Sequence, residues 1–192
     1  MFTGIEAVNK RTELLHEAVP WMRRSAMLVA DSTLLTITGA PLPDSFAATA
    51  KAYGIEYTTH RVRNVEDVEA ALAAAAASRP QGIHVTGDPY SGAATRIAEF
   101  ALRQRWVSAT FNRDLFDAGL LMYYGLSDEE NLRQIVYRVA RIADKILRGA
   151  NPADIPVELP THYETAINLK VARALGLTIP QSVLLRADTV IN

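Results

Sequence analysis

Polar and acidic side chains follow several predicted buried strands, at positions where they could bind a small ligand. The groups are Asp31-Ser32, Thr86-Gly87-Asp88 and Phe111-Asn112. The carboxylate of Asp88 either caps the helix that follows or receives a ligand ammonium group, and the cap is the commoner use. Amides at the start of that predicted helix, near Tyr90 and Ser91, could receive a ligand carboxylate through their partial positive charge. This combination favours a zwitterionic, amino-acid-like ligand.

Aromatic side chains near the same strand ends offer a second kind of ligand contact. They are Tyr90, Phe111, Tyr123 and Tyr124. Their rings could stack on an aromatic ligand. Aromatic residues at strand ends more often belong to the core, so this interpretation stays open beside plain packing.

The sequence lacks the motifs of the common catalytic and cofactor sites. It has no glycine-rich dinucleotide fingerprint, no phosphate-binding loop and no Gly-x-Ser-x-Gly elbow. Its 4 histidines are scattered, and the absence of cysteine removes thiolate nucleophiles and cysteine-bound zinc. We therefore predict no catalytic residues, no metal and no cofactor, and a small α/β enzyme is the weakest function class.

The composition of the chain argues against further classes of function. The 192 residues are 49% hydrophobic and 21% charged, with a formal net charge of −1. This near-neutral balance gives no basic field for nucleic acid, so no nucleic-acid partner is predicted. Charged residues interrupt the first turns, so no export signal is recognised, and no apolar stretch approaches the roughly 20 residues of a membrane helix.

The hydrophobic pattern predicts strands alternating with helices. Short apolar or alternating runs typical of strands are Ser25–Ala30, Ile55–Val62, Gly82–Gly87, Trp106–Phe111 and Gly119–Tyr124. Helices are predicted at Ile5–Val19, Ser45–Tyr53, from Asn64 to the Arg79-Pro80 stop, and from Asp88 to Arg105. The fold class is therefore α/β, with a parallel sheet covered by helices on both faces. In such sheets ligands bind beyond the carboxyl ends of the strands.

A long amphipathic helix is predicted at residues 127–148, followed by an extended connection. Its apolar stripe includes Leu132, Val136, Val139 and Ile146, and Ser127 with Glu130 forms a capping box. A final strand at Tyr163–Leu169, a short helix at Lys170–Leu175 and an apolar tail after Pro180 complete the chain. The stripe needs a partner surface, because contiguous exposed apolar patches are rare in monomers.

Ordered sequence strings carry a resemblance over essentially the whole chain. They are Lys10–Pro20 (KRTELLHEAVP), Gly119–Gly125 (GLLMYYG), Ala143–Glu158 (ADKILRGANPADIPVE) and Ile167–Asp188 (INLKVARALGLTIPQSVLLRAD). Together they resemble the ABC-transporter substrate-binding proteins of the tryptophan/tyrosine type. Asp88-Pro89 matches the family pattern, whereas Asp31-Ser32-Thr33 stands where the family usually has an Asn-Pro turn.

The resemblance implies a type I periplasmic-binding-protein architecture, in which two α/β lobes close over a small ligand and present it to an ABC permease. Residues 1–124 and 161–192 would form the second lobe, and residues 125–160 a helix and linker that would pack on the first lobe. At 192 residues the chain is too short for both lobes, so most of the first is expected to be missing.

Two hypotheses of function follow. In the first, the chain is a truncated, non-enzymatic solute-binding protein with weakened affinity, extracytoplasmic as its family implies, or cytoplasmic if Met1 is the true start. Its expected ligand-binding residues are Asp88, Thr86, Gly87, Tyr90, Asp31, Ser32, Phe111 and Asn112. In the second, it is a cytoplasmic interaction or regulatory module that self-associates through Leu132, Val136, Val139 and Ile146.

Overall fold

The computed structural model describes most of the chain, namely residues 5–30, 48–87, 90, 92–126, 128–156 and 163–192. The α-helices are α1 (Ile5–Ala18), α2 (described at residues 48–52), α3 (Val68–Ala77), α4 (Ala94–Arg103), α5 (Arg113–Asp117), α6 (Asp128–Leu147), α7 (Leu169–Leu175) and α8 (Gln181–Leu184). The strands are β1 (Arg24–Ala30), β2 (Glu56–Val62), β3 (Gly82–Thr86), β4 (Val107–Thr110), β5 (Met122–Leu126), β6 (Tyr163–Asn168) and β7 (Thr189–Ile191).

The strands form one seven-stranded sheet in the order β2-β1-β3-β4-β5-β6-β7. Neighbours pair in parallel except for β5 and β6, which are antiparallel. The last residue of β5, Leu126, pairs with the first of β6, Tyr163, so the chain leaves and re-enters the sheet at the same edge. The predicted α/β class is confirmed, and the reversal of β6 and β7 is the departure from an all-parallel sheet.

Helices cover both faces of the sheet, as the sequence predicts. On one face, Leu72 of α3, Ile97 of α4 and Leu115 of α5 share a buried cluster with β1 and β3. On the other, Leu15 of α1 and Val183 of α8 pack with β4, β5 and β6. Strand β3 is buried along its whole length because it is covered on both sides.

Two predicted boundaries near the end of the sheet differ from the structure. The predicted strand Gly119–Tyr124 begins only at Met122, because the apolar residues before it form a turn: the amide of Leu120 donates to the carbonyl of Leu115, and that of Leu121 to the hydroxyl of Ser108. The apolar tail after Pro180 contains α8 and β7, which the sequence pattern did not separate. Both regions are too short for periodicity to identify.

Helix α6 presents large apolar side chains to solvent. Exposed fractions reach 60% at Val136 and Val139, 40% at Ile146 and 86% at Leu147, while the side chain of Leu132 lies outside the described residues. The helix itself is confirmed where it was predicted. Neither α6 nor any other helix in the described ranges is both long and apolar enough to cross a membrane.

A buried histidine of β3 is hydrogen-bonded to a half-buried tyrosine of β2. The hydroxyl of Tyr57 lies 3.1 Å from Nε2 of His84, and their rings meet edge to face at 5.3 Å. His84 has no exposed surface, and burial lowers the pKa of its imidazole to about 3, helped by the charge of Arg11. The side chain is therefore neutral in the folded protein over the whole ordinary pH range.

The buried imidazole predicts a loss of stability in acid. Because the pKa of His84 is lowered by folding, only the unfolded chain takes up this proton as the pH falls below about 6.5. Between pH 6 and 4, the wild-type free energy of unfolding should fall by roughly 1 kcal/mol per pH unit more than that of His84→Gln. Urea denaturation at several pH values measures both, and parallel pH profiles would contradict this account.

Candidate functional site

The carboxyl ends of β1, β3 and β4 lie side by side at one edge of the sheet. Val29 of β1 pairs with Thr86 at the end of β3, and Val85 pairs with Thr110 at the end of β4. This register brings the Thr86-Gly87 and Phe111-Asn112 groups to neighbouring positions, as expected for a ligand site. Asp31, Ser32 and Asp88 lie outside the described residues.

The segment after β3 is held in place by hydroxyl groups. The buried Thr86 hydroxyl donates to the carbonyl of Leu28 at 3.0 Å, and the hydroxyl of Tyr90 donates to the carbonyl of Thr86 at 3.1 Å. Gly87 has φ +109°, in the region where a residue with a side chain would be strained. This geometry fixes the path of the backbone where it leaves the sheet.

The ring of Tyr90 is part of the core. It is 1% exposed, packs with the residues of α3 and α4, and burial raises its pKa. Tyr123 is also 1% exposed, and its hydroxyl donates to the carbonyl of Leu126 at 2.6 Å. The rings of Tyr90 and Tyr123 therefore pack in the core and do not offer a surface for stacking on a ligand.

Helix α4 begins later than the sequence predicts. It starts at Ala94, its N-cap is Ala93, and no side chain caps it. The amide of Ala93 donates to the carbonyl of Tyr90, and Gly92 has φ +84°, so these residues form a turn before the helix. The prediction that Tyr90 stands at the start of this helix is therefore wrong, and Ser91 lies outside the described residues. The Ser-Gly dipeptide was the overlooked turn signal in the sequence.

The segment after β4 has a cap of its own. The side-chain oxygen of Asn112 accepts from the amide of Leu115 at 3.2 Å, which caps α5, and the amide of Asn112 donates to the hydroxyl of Thr110 at 3.0 Å. Thr110 in turn donates to the carbonyl of Val85 at 3.2 Å. Asn112 is only partly buried, so it combines a structural role with a place at the site edge.

A charged residue that the site prediction did not include lies beside this edge. Arg11 of α1 has no exposed surface; its guanidinium carbon is 5.0 Å from the centre of the Phe111 ring, and Nη1 donates to the carbonyl of Tyr124 at 3.0 Å. Burial lowers the pKa of Arg11 to about 10. Its helical spacing from Leu14 and Leu15 was the available signal, because residues three and four apart share a face.

Aromatic rings extend the site edge toward β6. The rings of Tyr124 and Tyr163 stack at 5.4 Å with 9° between their planes, and both are partly exposed. Tyr124 was among the candidate stacking residues, whereas Tyr163 was missed because its partner is fixed only by the antiparallel pairing of β5 and β6. The arrangement supplies charge, hydrogen bonds and aromatic surface; no cluster of three potential metal ligands occurs in the described part of the chain.

The cap at α5 gives a direct prediction. Asn112→Ala removes the oxygen that accepts from Leu115, so the free energy of unfolding should fall by about 1 kcal/mol. Asn112→Asp keeps an acceptor and should change stability by less than half of that amount. Urea denaturation tests both variants, and equal losses in the two would contradict the capping role.

Comparison with known proteins gives one family. The sequence profile of a family described as ABC transporter substrate binding protein matches residues 2–191. It is a family of binding proteins and not of enzymes. No curated protein matches the sequence.

Solved structures agree with the fold. A conserved domain protein from Vibrio cholerae is 22% identical with a TM-score of 0.79, and the match covers 95% of this chain and 60% of that one. A Streptococcus pneumoniae ABC domain in complex with L-Trp is 20% identical with a TM-score of 0.78, covering 96% of this chain and 62% of that one. A ligand-free, open substrate-binding protein with adhesive properties from Clostridium difficile is 17% identical with a TM-score of 0.67, covering 100% and 61%.

The solved structures thus share the architecture of this chain, but their chains are longer. The chain spans about 60% of the length of these solved structures, and at such identities their likeness shows the fold alone. The family profile, by contrast, matches nearly every residue of the sequence. The chain therefore belongs to the ABC transporter substrate-binding protein family.

Proposed function

We propose that this protein is the solute-binding component of an ABC transporter, that it acts outside the cytoplasm, and that its ligand is a small amino-acid-like molecule. The family match over residues 2–191 carries this proposal. The related Streptococcus pneumoniae domain was solved with L-Trp, which supports an amino acid as the ligand class. Its transport partner would be an ABC permease.

The proposed ligand site lies at the carboxyl edge of the sheet. It comprises Asp31, Ser32, Thr86, Gly87, Asp88, Tyr90, Phe111 and Asn112. The structure supports this location because the loops after β3 and β4 meet there and their backbone is fixed by the Thr86 and Thr110 hydroxyls. Asp88 would receive the ligand ammonium group. Tyr90 would contribute through its position in the turn, since its ring is buried. Binding would use hydrogen bonds and charge, with no covalent chemistry.

Calorimetric titration with L-tryptophan, L-tyrosine and L-leucine tests this function. A single lobe encloses only one side of a ligand, so we expect a dissociation constant of roughly 0.1–1 mM for at least one of them. Asp88→Asn should weaken that binding at least about tenfold through loss of the charge contact. Asp114→Asn, at an exposed acidic residue of α5, is the matched control and should bind as the wild type does. Absence of binding by all three amino acids would contradict the proposal.

We also propose an arrangement of the chain in which residues 1–124 and 161–192 form one lobe and residues 125–160 a separate helix and linker. The pairing of β5 with β6 in one sheet supports the joining of the two segments. The exposure of Val136, Val139 and Ile146 supports the separate role of α6. In solution, the α6 stripe would be covered by a second copy of the chain.

Self-association through α6 has a direct test. Static light scattering at micromolar concentration should give twice the chain mass for the wild type, because burial of the stripe stabilises the pair. The double variant Val136→Glu, Val139→Glu should be a monomer. Lys145→Glu, at an exposed polar position of the same helix, should remain paired. A monodisperse wild-type monomer would refute this part of the proposal.

A further inference from the structure

Two arginines lie against aromatic rings near the candidate site, and within the described ranges only Arg113 has acidic partners. Arg113 of α5 sits 5.4 Å from the ring centre of Phe116, and its guanidinium pairs with Asp117 at 3.0 Å and Glu164 at 3.1 Å. These two carboxylates balance its charge. Arg113 therefore has a structural role, because its Nε and Nη1 donors are already paired with Asp117 and Glu164.

Arg11 has no acidic partner in the part of the chain that the structure describes. Its side chain has no exposed surface and makes one hydrogen bond to that part, from Nη1 to the carbonyl of Tyr124. Nε and Nη2 are buried and have no hydrogen-bond partner among the described residues. The ring of Phe111 covers the guanidinium at 5.0 Å, which offsets a part of the charge and none of the free donors.

Burying the Arg11 guanidinium in this way costs free energy of folding unless a further hydrogen-bond acceptor is present. A buried cation needs a counter-charge, and each buried N–H without a partner loses the hydrogen bond it had with water. The consequence appears in the pKa of Arg11, which burial lowers to about 10. The two unsatisfied nitrogens are adjacent in the guanidinium plane, so their N–H groups form the fork that receives both oxygens of a carboxylate.

We propose that Arg11 binds the carboxylate of the solute through Nε and Nη2. This inference rests on the proposed function and assigns one more ligand contact to the same site. It replaces the amide near Tyr90, which does not stand at the start of α4. Arg11 would then receive the carboxylate of the amino-acid-like ligand. Because Arg11 is fully buried, the ligand must displace a neighbour, and Phe111 and Tyr124 are its partly exposed neighbours.

Nuclear magnetic resonance of the arginine Nε–H groups tests the contact on the intact chain. The Arg11 signal is assigned as the one lost in Arg11→Lys. Sodium acetate and L-tryptophan should shift this signal in a saturable manner, whereas sodium chloride at equal ionic strength and tryptamine, which has no carboxylate, should not. The signal of Arg113 should stay in place, because its donors are already paired. If neither carboxylate shifts the Arg11 signal, the inference is overturned.

Binding of L-tryptophan to variants separates this inference from the proposed function. Arg11→Gln should weaken binding at least tenfold, while Arg96→Gln, at an exposed arginine of α4, should change it less than twofold. Equal binding by the wild type and Arg11→Gln would overturn the role of Arg11 and leave the solute-binding function standing. A saturable shift with acetate, combined with no binding of any amino acid, would support the Arg11 contact and refute the function. Should Arg11→Gln fail to fold, the wild-type resonance shifts still decide.

Discussion

The burial of the Arg11 guanidinium links the first helix of this protein to its candidate site. Arg11 lies on the inner face of α1, in the company of Leu14 and Leu15, and reaches the carbonyl of Tyr124 in β5. Its guanidinium also contacts Phe111, the first residue after β4. The contact between α1 and the sheet therefore includes one buried cation among apolar residues such as Val8, Leu14 and Leu15.

The carboxyl edge of the sheet is built from backbone groups that side chains hold in place. Thr86, Thr110 and Asn112 each bond to a neighbouring main-chain group, so the backbone is held in place where β3 and β4 end. Such pre-organisation lowers the entropy lost on binding, which matters most for a ligand with few atoms. The chain belongs to the ABC transporter substrate-binding protein family, and we propose this edge as its ligand site.

Much of this architecture could be predicted from local sequence. The apolar run of β3 depends on neighbouring residues, and the structure contains that strand. The predicted start of α4 is too early because Asp88-Pro89 is typical of a helix start, whereas in the structure Gly92 lies in a turn before the helix. The reversal of β6 depends on where the chain re-enters the sheet, which no local pattern records. Spacing places Arg11 on an inner face, but only the folded chain shows that its Nε and Nη2 have no hydrogen-bond partner among the described residues.

Binding of an amino-acid-like solute at the carboxyl edge of the sheet is tested most directly by mapping the backbone amide chemical shifts while the protein is titrated with L-tryptophan. We expect the largest changes at Thr86, Gly87, Phe111 and Asn112, with α8 and the amino ends of the strands unchanged. Changes confined to α6 or spread evenly over the sheet, or none at saturating ligand, would contradict it.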